Sequence, residues 1–411
     1  MPGLNRSPLA PSSFPALPKL KGVRLGAVAA GIKYLDRDDL MLAEFAPETT
    51  VAGVLTRSGT ASAPVLWCRH QLSGGIARGL IVNSGNANAF TGNTGSQHVE
   101  TTANAVSDRI GCDPCEVFVA STGVIGEFLP VERITQNIER LHNSLSDEGW
   151  GKAAEAIMTT DTFPKTVTRQ LHIAGVPVTL NGIAKGSGMI EPDMATMLAF
   201  MFTDAAIGAD VLQALLVNAN EESFNAISVD SDTSTSDTCL MFATGAAGNA
   251  VSSSATDPML NEFMGGMVDL MQELAIQVVR DGEGASKLIE VMVTGAEDNS
   301  AAKRVAKTIA NSPLVKTAIA GEDANWGRVV MAVGKTTEKF SQADLEICFG
   351  GVRITKNGQR IDGYDESQVT QHLKGQKIML EVDLGVGSGR STVWTCDLTH
   401  DYISINADYR S

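Results

Sequence analysis

Long apolar runs are missing from this chain of 411 residues. No window approaches the roughly 18 apolar residues of a membrane-spanning helix, so no membrane partner is expected. Positive charge is short as well. Lys and Arg number 32 against 47 Asp and Glu, for a net charge of −15, which leaves no broad basic footprint for nucleic acid. Aromatics make up only 5% of the chain, whereas Gly numbers 40; that balance suits an α/β protein with many tight turns. The six cysteines (68, 112, 115, 239, 348, 396) are scattered. Cys112-Asp-Pro-Cys115 is a lone pair with no second pair at similar spacing, so no metal site is expected. Scattered free thiols suit a reducing compartment, and the expected location is the cytoplasm. No Gly-x-Ser-x-Gly elbow and no Ser-His-Asp or Cys-His arrangement occurs.

The chain opens on a leader, residues 1–21, with five prolines in its first twenty positions. It has no apolar core of a secretory signal. It also lacks acids, which leaves an organellar transit peptide open, although its prolines oppose the helix such a peptide needs. A disordered or surface-hugging leader is expected.

From residue 22 onward short apolar runs alternate with helical segments. Residues 74–90, 116–126, 165–170 and 194–202 read as strands, and 176–190 reads as a hairpin. Residues 95–111, 129–145, 208–227, 257–282 and 298–315 read as single helices, the fourth with a Met and Leu stripe that reads as core. The expected organisation is an α/β core over 22–285 and a C-terminal α/β domain over 286–411. Two glycine-rich stretches invite a phosphate-binding reading. "GVGSG" (385–389) lacks a following Lys-Ser/Thr and stands between two strands, so a hairpin turn is expected. "NSGNANAFTGNTG" (83–95) is expected to be a turn leading into a helix.

"KGSGMIEPDMATMLAFMF" (185–202) passes from a glycine turn through Glu-Pro-Asp into an apolar run broken by one hydroxyl, Thr196. By pattern alone Thr196 is a strand residue. As a nucleophile it would need a base. One source is its own α-amino group, freed if the chain is cut just before it; that amine titrates near pH 7.7–8, and the β-branch limits where the hydroxyl can point.

The segment "KGSGMIEPDMATML" closely resembles the autoprocessing segment of the ornithine acetyltransferase (glutamate N-acetyltransferase) family of arginine biosynthesis. "NSGNANAFTG" (83–92), "ASTGVIGEFLP" (120–130), "MTTDTFPK" (158–165), "VVRDGEGASK" (278–287), "SPLVKTAIAGEDANWGR" (312–328) and "INADYRS" (405–411) resemble it in the same order. The resemblance implies a layered α/β sandwich related to an aminopeptidase and amidase group, with an additional C-terminal α/β domain. It implies self-cleavage between Ala195 and Thr196, with Thr196 as the acyl-accepting nucleophile. Thr122 and Gly123 would form the oxyanion hole, and Thr159, Lys185, Glu283, Asn406 and Ser411 would contact the amino-acid substrate. It implies transfer of acetyl from N2-acetylornithine to glutamate with no cofactor, acetyl-CoA remaining open as a second donor. It also implies α and β chains that pair into a heterotetramer. An amidohydrolase of the related group, and a processed but inert binding protein, are the rival readings. Arg57, Ser231 and Ser236 depart from the family pattern in loops expected beside the site and not in it. Asp230, Asp232 and Asp237 read as turn and cap residues.

Overall fold

The computed structural model describes residues 5–191 and 197–407. Nine strands build its first part: β1 (Val23–Val28), β2 (Leu40–Phe45), β3 (Thr50–Leu55), β4 (Gly79–Asn86), β5 (Val117–Val124), β6 (Lys165–Ile173), β7 (Val176–Lys185), β8 (Leu198–Thr203) and β9 (Thr238–Ala243). They form two sheets, ordered β1-β2-β4-β5 and β3-β9-β8-β7-β6.

Successive side chains of a strand point to opposite faces, and β8 feeds two separate layers in this way. Leu198, Phe200 and Phe202 enter one hydrophobic layer, and Ala199 and Met201 enter another. Leu240 and Phe242 of β9, Phe118 and Ala120 of β5, and Leu80 and Val82 of β4 share the layer of Phe200, which therefore lies between the two sheets. Ile81, Val117 and Val119 face outward, onto Val99, Ala103 and Val106 of the helix Gly92–Ile110. Met201 and Met241 face the helices Ala209–Glu222 and Asn261–Arg280. The architecture is a helix–sheet–sheet–helix sandwich. The apolar runs Leu80–Val82, Val117–Ala120 and Leu198–Phe202 in β4, β5 and β8 reflect sheets covered on both faces. The scarce aromatics concentrate between the sheets: Phe45 stacks on Phe242 at 4.3 Å, and Trp150 meets Phe202 edge-on at 5.3 Å. Met267 and Met271 of the Met stripe are fully buried, as the pattern predicts.

The C-terminal part has its own hydrophobic cluster, from Ile289 to Val393. Its strands are β10 (Leu288–Ala296), β11 (Glu346–Phe349), β12 (Val352–Arg353), a small ribbon of β13 (Thr355–Lys356) and β14 (Gln359–Arg360), then β15 (Lys377–Asp383) and β16 (Gly389–Cys396). The sheet order is β12-β11-β15-β10-β16.

This order corrects the reading of 385–389 as a hairpin turn. β15 and β16 do not pair; β10 lies between them, parallel to β15 and antiparallel to β16. The glycines let the connection cross the end of β10 closely: a Cβ on Gly387 would lie 2.3 Å from the Ala296 carbonyl oxygen. The hairpin expected within 176–190 is formed instead by β6 and β7. Two predicted helices are each broken in two. Residues 129–145 give Val131–Thr135 and Ile138–Asn143, where the Asn137 amide bonds the Arg133 carbonyl at 2.7 Å. Residues 298–315 break at Ser312, whose hydroxyl accepts from Val315 N–H while Pro313 opens the next helix.

The leader hugs the surface from residue 5 onward. Ser7 Oγ donates to the Arg280 carbonyl (2.6 Å), Thr162 Oγ1 accepts from Ser7 N–H (2.9 Å), and Pro18 O accepts from Asn181 Nδ2 (2.8 Å). Among the described residues no helix is long and apolar enough to cross a membrane, and no group of three or more His, Cys, Asp or Glu could hold a metal ion. Cys112 and Cys115 are free, and both thiols are pushed up to about 11, Cys112 by burial and Cys115 by its bond with Asp113.

Candidate active site

The far ends of β5 and β7 and the chain just ahead of β8 and β9 converge on a cavity of about 30 Å³, room for about one water. Its wall includes Thr122, Lys185, Met197, Ser234, Ser236 and Asp237.

Thr122 and Gly123 owe their place to an irregularity. The parallel ladder of β4 and β5 shifts register at Asn86, which faces both Thr122 and Val124; such a shift re-aims side chains at a strand end. Gly123 adopts φ +135°, and a Cβ there would lie 2.2 Å from the Gly85 carbonyl carbon, so no other residue fits.

β7 delivers Lys185 to the same wall. Its Nζ donates to Thr122 Oγ1 at 3.3 Å and lies 3.9 Å from Asp161 Oδ2. Burial draws the Lys185 ammonium below the usual lysine value, against the opposing pull of Asp161.

Behind Lys185 lies an ionic network that the residue pattern did not single out. Lys165 is fully buried and donates to Asp161 Oδ1 (2.7 Å) and Asp281 Oδ2 (2.6 Å). Asp161 also accepts the N–H groups of Gly186 (2.6 Å) and Thr159 (3.0 Å). Burial would raise the Asp161 carboxyl, yet the Lys165 and Lys185 charges hold it below the usual range. Burial raises the Asp281 carboxyl above it. Burial would likewise lower Lys165, but the two carboxylates hold its ammonium above the usual lysine value. The available signals were Asp161 and Lys165 four residues apart in "MTTDTFPK" and Asp281 in "VVRDGEGASK". Charged residues read by default as surface, which hid all three.

Glu283 and Asn406 also meet. Asn406 Nδ2 donates to Glu283 Oε2 at 2.8 Å, and Glu283 is only 8% exposed. Its N–H bonds the Ser187 carbonyl at 2.9 Å, and Ser187 Oγ lies 2.6 Å from Thr160 Oγ1. Burial lifts the Glu283 carboxyl above the usual glutamate value, against hydrogen bonds from Asn406 and Thr160. Gly188 in the cavity wall lies against this carboxyl; a Cβ on it would stand 2.6 Å from Glu283 Oε2. Thr159 joins the cluster through its N–H bond to Asp161. Ala195, Thr196 and Ser411 lie outside the described residues.

Asp230 does act as a cap: its carboxylate accepts the N–H groups of Met189 (2.7 Å) and Ile190 (2.8 Å). Ser231 has φ +66°, a conformation that explains the glycine expected there. Asp237 differs from its neighbours in the Asp-rich segment; it is 2% exposed and lines the cavity. Ser236 lines it too, so this departure from the family pattern stands in the site wall and not merely beside it.

A small polar cavity with a hydroxyl, a buried ammonium and a glycine-shaped turn, set between the two sheets of an α/β sandwich, is the architecture of a small-molecule catalyst. Comparison with known proteins narrows this. The ArgJ family profile matches residues 24–411. Arginine biosynthesis bifunctional protein ArgJ of Rhizobium meliloti (strain 1021) is 55% identical over 98% of this chain and 99% of its own length. The protein of the same name from Gluconobacter oxydans (strain 621H) is 56% identical over 98% and 95%. A crystal structure of ArgJ from Bacillus halodurans aligns with a TM-score of 0.48 at 41% identity, over 50% of this chain and 95% of that one. Ornithine acetyltransferase from Mycobacterium tuberculosis, complexed with ornithine, aligns with a TM-score of 0.41 at 38% identity, over 44% and 98%. The chain belongs to the ArgJ family.

Proposed function

We infer that this chain is an acyltransferase of arginine biosynthesis, moving the acetyl group of N2-acetylornithine to glutamate. Family membership across nearly the whole chain supports the activity. The observation that carries the site is the contact of Lys185 with Thr122 in a cavity whose wall continues into Met197, the residue after Thr196.

The chain is cut between Ala195 and Thr196, and the freed α-amine serves as base for the Thr196 hydroxyl. As Oγ attacks the acetyl carbonyl of N-acetylornithine, its proton passes to the amine and from there to the departing ornithine nitrogen. The oxyanion is met by Thr122 and the Gly123 N–H. Glutamate then attacks acetyl-Thr196, with the proton moves reversed, and leaves as N-acetylglutamate. Lys185 suits the α-carboxylate common to both substrates. Glu283, oriented by Asn406, suits the ornithine side-chain amine; Thr159 and Ser411 complete the substrate contacts. Acetyl-CoA is the candidate second donor, which the assay below decides; no cofactor is needed, the α and β chains pair into a heterotetramer, and the enzyme works in the cytoplasm.

The test is direct. Denaturing mass spectrometry should find chains 1–195 and 196–411, and N-acetylornithine plus glutamate should yield ornithine and N-acetylglutamate. Thr196→Ala should remain one chain without activity. Ornithine release that ignores glutamate would mean water is the acceptor, and acetyl-CoA replacing N-acetylornithine tests the second donor. An intact single chain that is fully active would overturn the reading.

A further inference from the structure

Asp161 has no part in the reaction above, yet two segments that bring substrate contacts to the site are tied to it. Its side chain is closed to water, and its two oxygens divide the work. Oδ1 accepts from Lys165 Nζ (2.7 Å) and from the Gly186 N–H (2.6 Å). Oδ2 accepts from the Thr159 N–H (3.0 Å) and stands 3.9 Å from Lys185 Nζ. Thr159 lies ahead of β6, and Lys185 ends β7. The ladder between these two strands stops at the pair Lys165–Ala184. Past that pair the Asp161 carboxylate takes over the link, accepting the first N–H beyond β7. Glu283 is reached at second hand: Lys165 also donates to Asp281 Oδ2 at 2.6 Å, two residues ahead of Glu283.

The longer distance to Lys185 matters as much as the short bonds. An ammonium has three hydrogens to donate. That of Lys185 donates to Thr122 Oγ1 at 3.3 Å, while Asp161 at 3.9 Å is beyond hydrogen-bond reach. At that range an opposite charge still favours the charged form of the amine, and the remaining hydrogens are left for an incoming carboxylate. Lys165 takes the short bond instead. Among the described residues Asp161 is the only acid within 4.0 Å of Lys185 Nζ.

We propose that Asp161 is the positioning residue for the α-carboxylate of the substrates: it sets Thr159 and Lys185 in one frame and keeps the Lys185 ammonium charged and aimed without occupying the hydrogens a substrate needs. It acts through Lys185 and Thr159 and not on the reacting atoms. The proposal rests on the reading of Lys185 as the α-carboxylate contact.

Asp281 supplies the control. Its carboxylate pairs with the same Lys165 and is equally closed to water, but its other bonds go to the N–H and Oγ1 of Thr162, not to Lys185, Gly186 or Thr159. Asp161→Asn and Asp281→Asn each take one charge from the network, and each should lower Tm. Only Asp161→Asn should raise KM, for N-acetylornithine and for glutamate alike, since both carry an α-carboxylate. The rise should be roughly 10-fold, the low end of the range of about 10- to 150-fold for a charge-assisted hydrogen bond, with kcat changed less than KM. A wild-type KM in Asp161→Asn, or an equal rise in Asp281→Asn, would mean that the network serves the fold alone and would overturn the proposal. If Asp161→Asn does not fold, Asp161→Glu decides, because it keeps the charge beside Lys165 and moves the carboxylate by one methylene. A raised KM for both substrates with Tm near the wild-type value supports positioning; a wild-type KM, or a second failure to fold, overturns it. Two other results reach the underlying reading instead. Lys185→Met with wild-type KM for both substrates would withdraw Lys185 as the carboxylate contact, and wild-type protein that transfers no acetyl group from N-acetylornithine would remove the acyltransferase reading itself.

Discussion

Lys165 Nζ lies 2.6 Å from Asp281 Oδ2, and neither side chain is exposed to water. The pair ties the entry of β6 to the end of the long helix Asn261–Arg280, and Asp161 completes it on the other side of the ammonium. Removing one partner of such a group leaves buried charge behind. Lys165→Met should therefore lower stability by about 3–5 kcal/mol. Urea unfolding of the variant in a Thr196→Ala background, where one chain remains, measures it. A loss below about 1 kcal/mol would show that the ammonium is dispensable to the fold.

Thr122→Val keeps bulk and removes the hydroxyl that Lys185 contacts. If this hydroxyl meets the oxyanion, acetyl transfer should fall by about 100- to 1000-fold in kcat. Self-cleavage should slow as well, followed by the rate at which the full-length band disappears on a denaturing gel. Slowed transfer with unchanged cleavage would place the two reactions on different donors.

Gly188→Ala is a small change at a chosen point. The added methyl would stand 2.6 Å from the Glu283 carboxyl, so Glu283 must move while the backbone need not. KM for N-acetylornithine should rise several-fold with Tm nearly constant. A Tm drop of many degrees without a change in KM would place Glu283 in the fold's service rather than the substrate's.

Glu283 also sets a pH dependence. Burial lifts its pKa above the ordinary glutamate value, so it becomes neutral at a higher pH than a free glutamate, which titrates near 4.3. If Glu283 meets the ornithine amine as proposed, its neutral form should hold that amine less well. KM for N-acetylornithine should therefore rise as pH falls through the raised pKa, and Glu283→Gln should flatten that rise. With N-acetylglutamate as donor, whose side chain is a carboxylate, the same descent in pH should not raise KM. Parallel KM profiles for the two donors would withdraw the side-chain assignment.

The sandwich was legible where strands are covered on both faces, because β4, β5 and β8 each carry a short apolar run, Leu80–Val82, Val117–Ala120 and Leu198–Phe202, that announces its own burial. The placement of β10 between β15 and β16 was not, since nothing in two neighbouring strands and a glycine turn reports a third strand arriving from eighty residues earlier. In the site, Lys185, Glu283 and Asn406 were found through resemblance to a family; as bare residues they are a lysine, a turn acid and a polar tail. Their partners Asp161, Lys165 and Asp281 stood inside the matching motifs without a role, because burial of a charged group depends on counter-charges brought from distant segments. Asp237 was hidden by company: four residues of turn-forming Ser and Thr separate it from Asp232, and a local reading gives all of them the same duty.

The strand order β3-β9-β8-β7-β6 has a consequence for the chain if the cut proposed ahead of Thr196 is made. β3, β7 and β6 then belong to one polypeptide and β9 and β8 to the other, and the second pair is flanked on both sides by strands of the first. The fragments share one hydrogen-bonded ladder and cannot drift apart without tearing it on two seams, so they should co-purify through any non-denaturing step. Unfolding, however, changes its molecularity. An uncut protein unfolds into one chain at a midpoint independent of concentration, whereas the cut one dissociates as it unfolds and its midpoint should climb with protein concentration by mass action.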